Sequence, residues 1–325
     1  MKFYLLSFLL SLSLSTLAND KIIYGEDNRH DVYTYTDQSV VELSRSTVAL
    51  VKKSDIRWDG KFYNIPFQSL ETKMSLCTRE RFFNQPTAAF CSGFLIAPNK
   101  IMTAGHCIES LDDCEKTAFI FDYRMANKEQ YFGKFPNIYL CKKILGQTKN
   151  NSGVDFAIIE IDEEITDRTP LTLGTNLEIA VNDPVFTIGH PSGLPAKITD
   201  NGHIRSIKYN SGYFVTNLDT YGGNSGSAVF NARTHEVEGI LVRGDTDYLT
   251  IDNRCRSSNR VGNQEGRGES VTLITQTHQD GIYGDGSSIA NDDQFRYIWF
   301  AWFNTCNEFK GSVFRREVPA SYCRR

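Results

Sequence analysis

The 325-residue chain has no Cys-x-x-Cys pair, no long run of basic residues, no internal repeat and no low-complexity tract. The first absence removes the usual spacing for structural zinc and for dithiol redox chemistry. A net charge of −4 without a basic run gives neither nucleic acid nor an anionic membrane surface a reason to bind. Beyond residue 18 no apolar stretch has the length to cross a bilayer. No long helical pattern separates the β-type runs, which removes the crossover helices that a parallel α/β sheet requires.

What is present begins with Lys2, an apolar stretch from Phe3 to Leu14, and small residues with Thr16 and Ala18 at the spacing favoured by signal peptidase. Residues 1–18 read as a secretory signal cleaved after Ala18, so the mature protein is expected outside the cytoplasm, extracellular or periplasmic. All eight cysteines follow that segment, and an even number in an exported chain favours disulfides. Residues 19–45 are polar and aromatic without clear periodicity, which fits an extended N-terminal arm or a removable leader.

Short β-type runs then recur in two sets of six. The first comprises Ser46–Val51, Ser92–Ala97, Lys100–Ala104, Ala118–Asp122, Ile138–Leu145 and Phe156–Ile161. After a polar linker, Asp162–Thr169, come Val185–Ile188, His203–Ile207, Tyr213–Asn217, Ser227–Phe230, Val237–Arg243 and Val271–Ile274. The expected fold is all-β, two six-stranded antiparallel barrels over about 46–161 and 170–277. Lys52–Ala88 and Asp245–Glu269 read as surface insertions. The one good helical pattern comes late: Asn291, Asp292 and Asp293 supply a cap and first-turn acids for Gln294–Phe303. Cys306 and Cys323 bracket the tail that completes residues 278–325, and a local disulfide between them is expected.

The stretch with the most chemical content is Leu218–Phe230, where two glycines lead into Asn224 and Ser225 and a third follows. Such a turn holds a serine hydroxyl out and leaves peptide N–H groups free to converge on one point, as acyl transfer requires. A glycine-rich hairpin with an incidental serine is the plain alternative. A serine attacks poorly without a base. Among six histidines, His106 stands out in Thr103-Ala104-Gly105-His106-Cys107, directly after a β run, with Cys91 before a neighbouring run. A bridge between Cys91 and Cys107 would fix its loop. His190, His203, His235 and His278 sit beside turn or acidic residues and read as surface or loop positions, and His30 lies in the N-terminal arm. Asp155 stands at the mouth of the apolar run Phe156–Ile159, where an unpartnered carboxylate would be costly.

Taken together, Phe90-Cys91-Ser92-Gly93-Phe94-Leu95-Ile96 with Thr103–Cys107, Asp155-Phe156-Ala157-Ile158, and Gly223-Asn224-Ser225-Gly226-Ser227 resemble the chymotrypsin-fold serine endopeptidases over roughly residues 46–277. Gly222–Ser227 and Gly189-His190-Pro191-Ser192-Gly193 are most similar to the bacterial branch that includes glutamyl endopeptidases. The resemblance implies His106 as general base, Asp155 as its orienting acid and Ser225 as nucleophile. It also implies an oxyanion hole from the N–H groups of Gly223 and Ser225, peptide or protein substrates, and neither metal nor organic cofactor. A monomer is expected. An α/β-hydrolase esterase is disfavoured, because the residue two after Ser225 is Ser227 and a strand, not a helix, follows. The rival from another class is an inactive homologue that binds a protein or surface ligand.

For specificity, the resemblance places the primary pocket near Asp219–Tyr221 and along Gly239–Gly244. Leu241 stands where glutamate-specific relatives carry a histidine, which argues against a glutamate preference. Asp219, six residues before Ser225, is either the acid of a lysine- or arginine-reading pocket or a structural residue. Thr220 and Gly244 are expected in the wall, with Arg243 and Asp245 at the rim. Asn224 occupies the position where animal digestive members hold an aspartate for a newly cut N-terminus, so that activation salt bridge is not expected. Cys114–Cys141 is a further expected pairing.

Overall fold

The computed structural model describes residues 22–77, 80–150, 153–174 and 179–278. The signal, the C-terminal helix and the Cys306–Cys323 pairing expected from the sequence lie outside the described residues.

Each of the twelve expected runs is a strand of one of two barrels. The first set is β1 (Thr47–Lys52), β2 (Cys91–Ala97), β3 (Lys100–Thr103), β4 (Thr117–Phe121), β5 (Tyr139–Lys149) and β6 (Asp155–Ile161). The second is β7 (Pro184–Gly189), β8 (Lys197–Lys208), β9 (Tyr213–Thr216), β10 (Ala228–Asn231), β11 (Val237–Arg243) and β12 (Glu269–Leu273). All pairings within them are antiparallel, and both barrels close in the same order: β1-β2-β3-β6-β5-β4 and β7-β8-β9-β12-β11-β10. The backbone therefore repeats a topology where the sequence shows no repeat. Runs such as Phe156–Ile159 are almost fully apolar because one face fills a barrel and the other meets the neighbouring barrel. Phe94, Phe156 and Ile158 of the first barrel pack in one buried cluster with Phe186, Ile188, Phe230 and Ile240 of the second. Phe186 and Phe230 stack with ring centroids 4.7 Å apart.

The segment after residue 21 is built into this body. Ile22, Ile23 and Tyr24 are buried, Ile23–Tyr24 pairs in parallel with Arg260–Val261, and Arg29–Asp31 pairs with β8. Three short helices were not expected: α1 (Gln38–Leu43), α2 (Leu70–Met74) and α3 (Leu111–Lys116). Each is capped by a side-chain oxygen, from Asp37, Ser69 and Ser110 respectively, but none is long enough for an apolar stripe to recur. Cys91 is bonded to Cys107 and Cys114 to Cys141. A third bridge, Cys77–Cys255, was not foreseen and joins the two long insertions, which also exchange backbone hydrogen bonds between Cys77 and Arg256 and between Arg256 and Ser75.

Candidate active site

His106 sits in a single 3-10 turn, Gly105–Cys107, directly after β3. Its neighbour Cys107 is tied by the disulfide to the start of β2, so the turn cannot drift from the barrel. Asp155 opens β6 and meets the histidine twice: Oδ1 accepts from the His106 backbone N–H at 3.0 Å, and Oδ2 lies 2.9 Å from Nδ1. Gly105 makes this approach feasible, since a Cβ there would come within 2.8 Å of the Phe156 carbonyl. A carboxylate only accepts, so the Nδ1 proton points at Asp155 and Nε2 carries the lone pair. Burial pushes the Asp155 carboxyl up. The hydrogen bonds and charge of His106, with Arg243 behind them, outweigh burial and hold it below the usual range.

Ser225 belongs to the second barrel but is fastened to the first. Its carbonyl accepts from Ser92 N–H at 2.8 Å, and Cys107 Sγ touches the same oxygen at 3.7 Å. Ser92 also donates its hydroxyl to the Gly223 carbonyl at 2.7 Å and accepts from His190 N–H at 2.9 Å. It therefore staples the serine turn to the strand that the histidine's disulfide anchors. The motif contained Ser92, but the sequence assigned it no role. Asp155 adds a further crossing, its N–H donating to the Thr272 hydroxyl at 3.1 Å.

Within the turn, Gly223 and Gly226 have φ of 98° and 89°, a region a side chain resists. Both are also hemmed in, Gly223 by the His190 carbonyl and Gly226 by Ser92 and Thr103. The Gly222 carbonyl is held by Ser192 N–H at 2.6 Å. In a trans peptide the next N–H, that of Gly223, then points to the opposite side. Among the described residues, neither Gly223 N–H nor Ser225 N–H donates to a protein acceptor. The Ser225 hydroxyl donates to the Val242 carbonyl at 3.2 Å. The Cys91, His106 and Cys107 side chains are close, but the disulfide has consumed both thiols that a metal would need.

Residues 91–240 match the family described as a trypsin-like peptidase domain. This chain carries a trypsin-like peptidase domain. A glutamyl endopeptidase of Staphylococcus epidermidis is 25% identical over 174 residues, covering 51% of this chain and 56% of the relative. The chain thus spans a little over half the length of the curated relatives it matches. Among solved structures, the serine endoprotease of Yersinia pestis is 18% identical with a TM-score of 0.46, covering 78% of this chain and 68% of that one. A Glu endopeptidase in complex with MPD is 17% identical with a TM-score of 0.42, covering 73% and 94%.

In this trypsin-like domain, the residues expected at the pocket part company. Asp219 is buried, and its two oxygens accept from the backbone N–H groups of Tyr24 at 2.6 Å and Asn28 at 2.7 Å. Burial raises its pKa to about 6, against the downward pull of those two donors. Leu241 is fully buried and packs with Phe214, Val229 and Val271 in the second barrel. Thr220 and Gly244 lie together, and a Cβ on Gly244 would overlap the carboxylate of Glu269. Thr220 donates its hydroxyl to the same carboxylate, and the Tyr24 hydroxyl reaches it at 3.4 Å. Arg243 donates to the Gly153 carbonyl at 2.9 Å, and Asp245 accepts from Arg267 N–H at 3.0 Å.

Glu269 was missed by sequence reasoning, although a signal existed. In Glu269-Ser270-Val271-Thr272-Leu273 the alternation puts the glutamate on the same face as the buried Val271 and Leu273. His190 was also misplaced. It stands in a loop, but at 1% exposure it is interior, stacked on Tyr123 and bonded through Nδ1 to the Leu194 carbonyl at 3.0 Å. Its Nε2 has no partner, and burial lowers its pKa to about 4. His203 is exposed, and His235 is part-exposed beside Ser39. The Asn224 amide is buried, with neither its oxygen nor its nitrogen hydrogen-bonded among the described residues.

Proposed function

We propose that this chain is a serine endopeptidase acting through His106, Asp155 and Ser225. The observation that carries the reading is the paired contact of Asp155 with His106, through Nδ1 and the backbone N–H at once, beside a serine turn stapled to the same strand. An aspartate that merely capped a strand would not fix an imidazole by two bonds.

In the reaction, the Ser225 hydroxyl leaves the Val242 carbonyl and gives its proton to His106 Nε2 as its oxygen attacks the scissile carbonyl carbon. Asp155 holds the imidazolium that results. The developing oxyanion takes the N–H groups of Gly223 and Ser225, which have no protein acceptor to give up. Collapse breaks the C–N bond, and the leaving amine takes the proton from His106. Water then repeats the sequence on the acyl-enzyme, restoring the Ser225 hydroxyl. Peptides and proteins are the substrates. The three disulfides support an oxidising compartment, in keeping with export.

The test is labelling by a fluorophosphonate together with peptide hydrolysis. The mature protein is expected to label at Ser225 and to cleave a peptide library, and Ser225→Ala to lose both while unfolding at the same temperature. Undiminished hydrolysis by Ser225→Ala, or absent labelling where a control protease labels, overturns the reading.

A further inference from the structure

We propose that Glu269 is the specificity-determining residue of the peptidase site, selecting lysine or arginine on the acyl side of the scissile bond and rejecting glutamate. The inference rests on the serine endopeptidase reading above.

The side chain beside an attacked carbonyl must lie against whatever flanks the Ser225 hydroxyl. Two segments do so. The end of β11 is in direct contact, since Val242 accepts the hydroxyl, and Gly244 follows two residues later. The other is the loop Asp219–Gly222 that leads into the serine turn. Glu269 reaches between them from the start of β12, its carboxylate against Gly244 on one side and under the Thr220 hydroxyl on the other. Gly244 is thus a glycine because the acid occupies the space a side chain would fill.

Asp219 does not compete for this role. Both its oxygens are spent on the N–H groups of Tyr24 and Asn28, so it fixes the incoming N-terminal segment. That segment in turn delivers the Tyr24 hydroxyl to Glu269. Asp245, next to Gly244, adds negative charge, and Glu269 and Asp245 both push the Tyr24 phenol further up after burial has done most of it. The nearby guanidinium groups point elsewhere. Arg205 lies over the Tyr24 ring at 5.8 Å and donates to the Gln264 and Glu265 carbonyls, while Arg243 turns to Gly153 on the histidine side.

Glu269 is fully buried, so the charge that reaches it must travel on a long apolar stem. Lysine and arginine have such stems, and either can take up the carboxylate in exchange for the long Tyr24 contact of 3.4 Å. A glutamate at the same place would bring a second carboxylate into a poorly hydrated site.

The experiment compares kcat/KM for fluorogenic peptides that differ only in the residue before the cleaved bond: Lys, Arg, Glu, Leu and Ala. Wild-type protein is expected to favour Lys and Arg over Glu and Leu by at least about tenfold, the size of one charge-assisted hydrogen bond. Glu269→Gln should lose at least about tenfold on Lys and Arg while Leu changes less than about threefold. Rates are referred to sites titrated by fluorophosphonate, so a poorly folded fraction does not count as lost specificity. A wild-type preference for Glu, Leu or Ala overturns the proposal, and does so even if Glu269→Gln fails to fold. Equal loss on all five peptides in Glu269→Gln, or loss of lysine selectivity in Asp219→Asn alone, also overturns it. Failure of the underlying reading looks different: no peptide is cut and Ser225 does not label.

Discussion

Two buried groups titrate across the same pH range with opposite effects on stability, and separating them tests the electrostatics around the serine turn. Asp219 has a folded pKa of about 6 against 3.8 in an open chain, because burial disfavours its charge. A raised folded value means that its contribution is full below pH 3.8 and lost as pH rises through 6. At about 1.4 kcal/mol per pH unit the gap amounts to about 3 kcal/mol. His190 has a folded pKa of about 4 against 6.5, again through burial. Its contribution is full above pH 6.5 and falls by about 3 kcal/mol as pH drops to 4. In the wild-type protein the two nearly cancel between pH 4 and 6.5. Urea unfolding at intervals through that range, on a Ser225→Ala background to prevent self-digestion, reads the difference. Going from pH 6.5 to 4, Asp219→Asn should lose about 3 kcal/mol relative to the parent, and His190→Gln should gain about as much. Other groups, such as Glu238 with its raised pKa, titrate in all three proteins and drop out of the comparison. Parallel profiles for parent and Asp219→Asn refute the argument.

Two further predictions concern the scaffold and the histidine. Cys77–Cys255 closes 178 residues and Cys114–Cys141 closes 27, so loop entropy assigns them about 5 and about 3.5 kcal/mol. Replacing both cysteines of the first bridge by serine should therefore lower stability to urea more than doing so for the second, and the reverse order counts against it. Asp155→Asn keeps the shape but offers Nδ1 an amide, and kcat should fall by roughly 10³–10⁴ with little change in unfolding temperature, the size seen for this substitution in another triad. A loss below tenfold in steady-state peptide hydrolysis contradicts the assigned role.

The strands were legible in the sequence because each is a short apolar run bounded by polar turns, and twelve such runs without intervening helices leave few architectures. His106, Asp155 and Ser225 were legible because each sits at the edge of such a run with glycine beside it. What escaped shares a physical cause. The Cys77–Cys255 bridge and the docking of Tyr24 and Asn28 on Asp219 join positions 178 and more than 190 residues apart, and no local pattern encodes such a meeting. The three helices are too short for a 3.6-residue period to show. His190 was read from its proline and glycine neighbours, which mark a turn truthfully but say nothing about which neighbour covers it. Glu269 had the clearest overlooked signal, a charge on the inward face of an alternating strand.

The two barrels have the same strand order, yet the histidine and aspartate belong to one and the serine to the other. Each barrel by itself is chemically harmless. Hydrolysis begins only when Ser92 has clasped the serine turn and Asp155 has met Thr272 across the seam. A half-folded copy, with its loops open to cleavage, therefore has no competent blade with which to cut its siblings. Catalytic competence becomes the last event of assembly, and the seam between the barrels serves as the safety catch during export.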